Sequence, residues 1–234
     1  MRNSTINGIH FFSSASAIGF ALFFLCGQTS VSHANSITLA PGGSLAASAE
    51  PFPAAGSTLL ATTSVGFSSG SLSGTLISSV YDNDAGNEYG LADMTFTYEI
   101  LLTGGPDAAS AISIGSFAGF LTDVSYDSNG GVAPYTIGRD PTGSQAVKFD
   151  FSGNGYVAPG QDSALLVVQT DATAWGSGSA SVIDDIGTPS ISSFAPAVPE
   201  TTGIGSFDLG LCLLAGVGRL TKAAVLKSEN RLTC

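Results

Sequence analysis

Short runs of β-branched and aromatic residues, separated by turns rich in glycine, proline and aspartate, constrain the fold of this 234-residue chain more than any other feature. In the clearest run, residues 94–100, large apolar side chains alternate with threonine and glutamate. Because successive side chains of a strand point to opposite faces of a sheet, this alternation predicts a strand with one buried face. A second alternation covers residues 147–151. No stretch of 11 or more residues between the two ends has helical periodicity.

Nine segments share this composition, and each predicts a short strand. Turn sequences such as Asp-Ala-Gly and Asn-Gly-Gly separate them. Many short strands at this spacing favour an all-β fold, namely a two-sheet antiparallel β-sandwich of jelly-roll or immunoglobulin-like topology. The predicted strands are residues 59–65, 72–81, 94–100, 112–114, 119–124, 147–151, 164–170, 181–186 and 191–194.

The N-terminus has the order of a secretory signal peptide. Arg2 supplies a positive charge, residues 18–26 form an apolar core, and small residues precede Ala34. The apolar core is far shorter than the roughly 20 residues of a membrane span, so we expect a signal helix that is cleaved after Ala34 rather than an anchor.

The C-terminus combines a Val198-Pro199-Glu200 motif, 18 residues without a basic side chain, and a tail that carries four basic residues. This order resembles the bacterial PEP-CTERM sorting signal, although Thr201 stands where that family has a second proline. The resemblance implies recognition of Val198, Pro199 and Glu200 by an exosortase. It also implies transient inner-membrane insertion of a short hydrophobic helix around residues 209–217. The alternative is an ordinary terminal helix packed on a soluble domain.

Residues 91–194 are also similar to the ectodomain of unassigned function that accompanies many such sorting signals. The similarity lies in four segments, residues 95–98, 117–124, 158–160 and 163–170. It implies an exported location and an all-β fold, and it carries no catalytic or binding residues. The predicted organisation is a signal peptide (1–34), a flexible arm (35–56), a β-sandwich (57–196) and a sorting segment (197–234).

The residues missing between the two ends exclude several kinds of chemistry. All three cysteines and both histidines fall outside residues 35–198, so Ser-His-Asp or Cys-His catalysis and thiolate or imidazole metal sites are excluded there. Between Glu50 and Asp185 there are 15 acidic residues against Arg139 and Lys148. Such a surface repels phosphate backbones, so we expect no nucleic-acid partner. We also expect no enzymatic activity.

Two groups of residues are candidates for binding. Asp82, Asp84 and Glu88 place oxygen ligands around a glycine, which suits Ca²⁺, although an aspartate-rich turn explains the same residues. Trp175, in a predicted loop, offers a flat ring to a sugar, although a single tryptophan also suits the end of a sandwich core.

Together these features predict an exported, non-enzymatic protein of the cell surface or extracellular matrix. Its expected partners are signal peptidase, an exosortase-like enzyme and extracellular polysaccharide, in which it would be structural or adhesive. The alternative is a calcium- or carbohydrate-binding, lectin-like module. No cofactor other than Ca²⁺ is expected.

Overall fold

The computed structural model describes residues 38–128, 130–184 and 190–198. Within these ranges every helix or strand assigned is a β-strand. The eleven strands are β1 (Ser44–Ala46), β2 (Thr58–Ser68), β3 (Ser73–Asp82), β4 (Thr95–Gly104), β5 (Ala111–Ile114), β6 (Thr122–Asp127), β7 (Thr136–Arg139), β8 (Val147–Asp150), β9 (Leu165–Thr170), β10 (Trp175–Ile183) and β11 (Ser190–Pro196).

The strands form two sheets in which all neighbours are antiparallel. The six-stranded sheet has the order β1-β7-β8-β5-β10-β11, and the five-stranded sheet has the order β2-β3-β4-β9-β6. The predicted all-β fold with two antiparallel sheets is therefore confirmed. The predicted signal helix and the C-terminal hydrophobic helix lie outside the described residues.

One hydrophobic core joins the inner faces of both sheets, as in a β-sandwich. Phe96, Tyr98 and Ile100 of β4 are fully buried in it, which confirms the alternation predicted for residues 94–100. Phe96 meets Phe117 edge to face, with ring centroids 6.2 Å apart. Burying an aromatic or large aliphatic side chain stabilises a fold by about 1.5–3 kcal/mol, so this strand contributes much of the packing free energy.

The outer face of β4 is buried as well, which alternation does not predict. Thr95 is completely buried and Thr97 is 2 % exposed. The Thr95 hydroxyl donates a hydrogen bond to Asp84 Oδ2 at 2.8 Å, so the chain between β3 and β4 folds back over this face. The five-stranded sheet thus carries a layer of buried polar side chains on the side away from the core.

The free edge of β11 is interrupted at Phe194 by side chains of the other sheet. The amide of Phe194 donates to Ser78 Oγ at 3.1 Å, and the Tyr98 hydroxyl donates to the Phe194 carbonyl oxygen at 2.7 Å. Tyr98 is completely buried, and burial raises the pKa of its hydroxyl far above the ordinary value. The Tyr98 hydroxyl therefore keeps its proton at neutral pH and donates this hydrogen bond.

Two strands, β1 and β7, were not predicted, and both are only three or four residues long. They pair with each other, so that Leu45 lies opposite Ile137. Of the predicted flexible arm, the structure describes residues 38–56, and this part contains β1 and the buried side chains of Leu39 and Phe52. Because alanine, serine and glycine surround these apolar residues, the sequence has no alternation there that predicts the pairing.

Candidate functional site

The outer face of β10 and β11 is a broad row of hydroxyl groups with an aromatic pair at one end. Because Ala180 and Val182 point into the core, the alternate residues of β10 point outward, and those of β11 pair with them in register. By this alternation the outward positions are Trp175, Ser177, Ser179, Ser181 and Ile183 on β10, and Ser190, Ser192, Phe194 and Pro196 on β11. Pro196 is buried, and Phe194 is partly buried and also packs against the core.

A small residue on the inner side of β10 leaves room for the neighbouring strand β11. A Cβ atom at Gly178 would lie 2.5 Å from the Cβ of Ala195, which is closer than real side chains approach. Glycine is therefore required at position 178, and the Gly-Ser alternation is a strand pattern here. The prediction of a loop around Trp175 is wrong for this reason, since glycine and serine are also typical of loops.

Trp175 is the first residue of β10 and is 38 % exposed. Its ring meets the ring of Phe194 edge to face, with centroids 4.9 Å apart and planes at 75°. Phe194 lies diagonally across from Trp175, because Ser177 is its direct neighbour. This contact fixes the orientation of the indole and leaves part of it open to solvent beside the serine hydroxyls. An aromatic surface next to hydroxyl donors and acceptors has the chemistry to contact a sugar.

The calcium candidates are not gathered around a common point. Asp84 is completely buried, Asp82 is half-buried and Glu88 is exposed. The Asp84 carboxylate accepts hydrogen bonds from Ser57 Oγ at 3.2 Å, the Gly86 amide at 3.0 Å and the Thr95 hydroxyl. Protein donors thus occupy both of its oxygens. Within the part of the chain that the structure describes, no group of three or more His, Cys, Asp or Glu side chains could hold a metal ion.

Asn87 is the second anchor of the chain between β3 and β4. It is 5 % exposed, and its side-chain amide lies 3.3 Å from each of three acceptors, the Met94 carbonyl, the Thr95 hydroxyl and the Thr170 carbonyl. Its side-chain oxygen accepts a hydrogen bond from the Tyr89 amide at 3.0 Å. Asp84 and Asn87 therefore dock this loop on the outer face of the five-stranded sheet, which favours the turn interpretation of the acidic segment.

Arg139 is a buried cation, and nothing in the residues around it in the sequence predicts its burial. It is 5 % exposed. Its Nη atoms donate to the carbonyl oxygens of Leu39 at 3.1 Å, Phe117 at 2.6 Å and Phe120 at 2.9 Å, and to Gln145 Oε1 at 2.8 Å. Burial lowers the pKa of Arg139, but an arginine stays protonated in proteins. The guanidinium therefore ties three loops to β7 and has a structural role.

Glu99 and Asp162 are two carboxylates close enough for the charge of one to affect the pKa of the other. Glu99 lies on the outer side of β4, and Asp162 pairs with Leu101 two residues further along. Burial raises the pKa of Glu99, and the negative charge of Asp162 raises it further. Repulsion between the two carboxylates therefore destabilises the fold at neutral pH.

The predicted processing sites lie at or beyond the ends of the described chain. Val198 is the last described residue and is 75 % exposed. Ala34, Pro199 and Glu200 lie outside the described residues, so the sorting motif and the signal cleavage site stay predictions. In the ranges that the structure describes, no helix is long and apolar enough to cross a membrane.

The fold and the site define an antiparallel β-sandwich domain with an aromatic and hydroxyl-rich outer face. In comparisons with known proteins, no family model, no curated protein and no solved structure matches the chain.

Proposed function

We propose that this protein is exported and sorted by an exosortase-like system, and that it has a structural or adhesive role in extracellular polysaccharide without being an enzyme. The signal-like N-terminus and the Val198-Pro199-Glu200 segment with its basic tail support export and sorting. The acidic surface and the half-exposed Trp175 support contact with uncharged glycans rather than with anionic polymers.

The intact mass of the protein tests the export part of this proposal. Protein recovered from outside the cells of the native host should begin near Asn35 and end near Glu200, while a whole-cell fraction should also contain longer species. A secreted species that retains residues 201–234 would reject the exosortase step, because that step removes the hydrophobic segment.

A carbohydrate-binding module is the second candidate function, and the outer face of β10 and β11 is the observation that favours it. Trp175 presents a fixed, partly open ring, and exposed serines continue from it along both strands. A sugar ring stacked on the indole would place its hydroxyls over the serines. Because the chain carries a net charge of −11, we propose neutral polysaccharides as the ligands.

Affinity electrophoresis through gels containing neutral or acidic polysaccharides tests the binding candidate. Retardation in a neutral glycan should fall at least fivefold in Trp175→Ala and should stay unchanged in Tyr156→Ala. Tyr156 is 44 % exposed and lies in the loop between β8 and β9, so it is a matched aromatic control. Equal retardation of wild type and Trp175→Ala would remove this face as the binding site. Retardation that requires Ca²⁺ would favour the calcium-dependent, lectin-like alternative.

A further inference from the structure

The four outer edges of the two sheets are closed to very different degrees. An unprotected sheet edge carries free amide and carbonyl groups that can pair with another strand, so proteins usually cover, shorten, bulge or charge such edges. In the described residues, three of the four edges of this fold are covered, interrupted or short, and β2 is the exception.

The edge at β6 is covered by the chain that precedes β2. The amide of Leu39 donates to the Thr122 carbonyl, and Ser48 and Glu50 exchange backbone hydrogen bonds with Tyr126. The edge at β11 is interrupted at Phe194, whose amide and carbonyl bond to Ser78 and Tyr98 of the opposite sheet. The edge at β1 is only three residues long. Each of these three edges is therefore covered, interrupted or short.

The edge at β2 is long and exposed. Its eleven residues pair only with β3 among the described residues, and Phe67 is its one buried side chain. Leu59 and Leu60 are 51 % and 40 % exposed. The register shifts between Leu59 and Ala61, but pairing from Ala61 to Ser68 is regular. A bulge therefore protects only the first part of this strand.

The charge distribution indicates which partner this edge suits. Residues 51–81, which include all of β2 and most of β3, contain no charged residue, although the whole chain carries a net charge of −11. In a two-fold contact the same patch lies on both copies, so a patch with one sign of charge would face the same sign on its partner. A second copy of this acidic chain can approach closely only at an uncharged surface, and β2 provides one.

We propose that two copies of this protein associate by antiparallel pairing of their β2 edges, which joins the two five-stranded sheets into one continuous sheet. The regular stretch Ala61–Ser68 is about 26 Å long at 3.3 Å per residue, and a sheet is about 10 Å thick. The two copies then bury roughly 500 Å² in total along the edge. Stable interfaces bury about 1,200 Å² or more, so the dimer is weak and forms at about 0.1–1 mM, as at a crowded surface.

Sedimentation velocity of the full chain over that concentration range tests the proposal. Wild type should shift from monomer to dimer. Ser64→Lys, in the middle of the regular stretch, should raise the dissociation constant at least tenfold because it brings two like charges together. Ser44→Lys is the matched control, since it places the same residue at an exposed serine on the edge strand of the other sheet, and its dissociation constant should stay within twofold.

Hydrogen exchange of wild type locates the contact without any substitution. Amides within residues 61–68 should gain protection as the concentration rises, while those of β10 should not change. A wild type that stays monomeric at 1 mM, a dimer that Ser64→Lys and Ser44→Lys weaken equally, or a dimer without added protection in β2 would each overturn the proposal. If Ser64→Lys fails to fold, as judged by circular dichroism, the exchange experiment decides the question alone.

Discussion

Replacing Arg139 by methionine should be the most destabilising change of charge in the described part of the chain. The guanidinium holds three backbone carbonyls, those of Leu39, Phe117 and Phe120, and a side-chain amide oxygen. The Phe117 and Phe120 carbonyls keep a second donor, the Phe120 amide and the Thr122 hydroxyl, so they lose a charged bond without being left unpaired. A hydrogen bond to a charged group contributes about 1.5–3 kcal/mol, so the three lost carbonyl bonds predict a loss of roughly 4.5–9 kcal/mol. The variant no longer buries a charged group, whose desolvation costs several kcal/mol, and this gain offsets part of the loss. We expect a net loss of about 3–5 kcal/mol.

Urea unfolding, followed by the fluorescence of the single tryptophan, measures this loss. The same change should lower the melting temperature by about 6–20 °C, since 1 kcal/mol shifts a domain of this size by about 2–4 °C. Arg139→Lys should lose less, because an ammonium group keeps the charge but lacks the planar fork of donors.

Lys148→Met is the matched control for this experiment. Lys148 lies on β8, the strand next to β7, and its side chain is 46 % exposed, with a salt bridge of 3.4 Å to Asp150. An exposed ion pair contributes about 0–1 kcal/mol, so this variant should stay close to wild type. The reasoning fails if Arg139→Met also stays within about 1 kcal/mol of wild type, or if Lys148→Met loses as much.

Three further changes test the polar contacts described above. Asp84→Ala removes an acceptor of three hydrogen bonds and should lower the free energy of unfolding by about 2–4 kcal/mol. Millimolar Ca²⁺ should leave the melting temperature of wild type unchanged. A rise in melting temperature that Ca²⁺ induces in wild type and not in Asp84→Ala would restore the calcium interpretation. Tyr98→Phe leaves the Phe194 carbonyl without its donor and should cost about 1–2 kcal/mol in urea unfolding, whereas an unchanged stability would mean that the bond is replaced by water. Because burial and then Asp162 raise the pKa of Glu99, the folded state binds a proton more tightly than the unfolded state, and stability falls as the pH rises from 4.5 through the raised value. Glu99→Gln should therefore melt at a higher temperature than wild type at pH 7 and at the same temperature near pH 3.5. The control, exposed Glu88→Gln, should melt with wild type at both pH values. A lower melting temperature of Glu99→Gln at pH 7 would mean that ionised Glu99 stabilises the fold and would contradict this reasoning.

Alternation of apolar and polar residues along the chain predicts a strand when one face is apolar and the strand is long enough to show the pattern. It succeeds for residues 94–100, where the apolar side chains face the core. It cannot reveal that Thr95 is buried too, because that burial comes from the way the loop between β3 and β4 folds back on the strand, where Asp84 and Asn87 bond to the Thr95 hydroxyl. The oxygen content of this acidic loop suggests a cation site, whereas its fold depends on which partners surround Asp84 and Asn87.

Short strands and small residues are the second reason why prediction is incomplete. The four residues of β7 include Gly138, and the pattern there is too brief to separate from a turn. In β10 the alternation of glycine and serine is read as a loop, but it reflects close packing against Ala195. Only the pairing with β11 places Trp175 on an outward face beside Phe194, so the position of the candidate site requires the three-dimensional structure.

Residues 38–198 contain no cysteine, and several buried ionic groups in the described part of the chain bond to neutral partners. Two of the buried carboxylates bond to hydroxyls, Asp84 to that of Thr95 and Asp184 to that of Ser71. The buried cation, Arg139, likewise bonds to carbonyl oxygens, and in the described ranges the one salt bridge, between Lys148 and Asp150, is largely exposed. In the described ranges acidic residues far outnumber the two basic ones, Arg139 and Lys148, so like charges repel one another across the surface. Added salt screens that repulsion, so moderate salt should stabilise this fold.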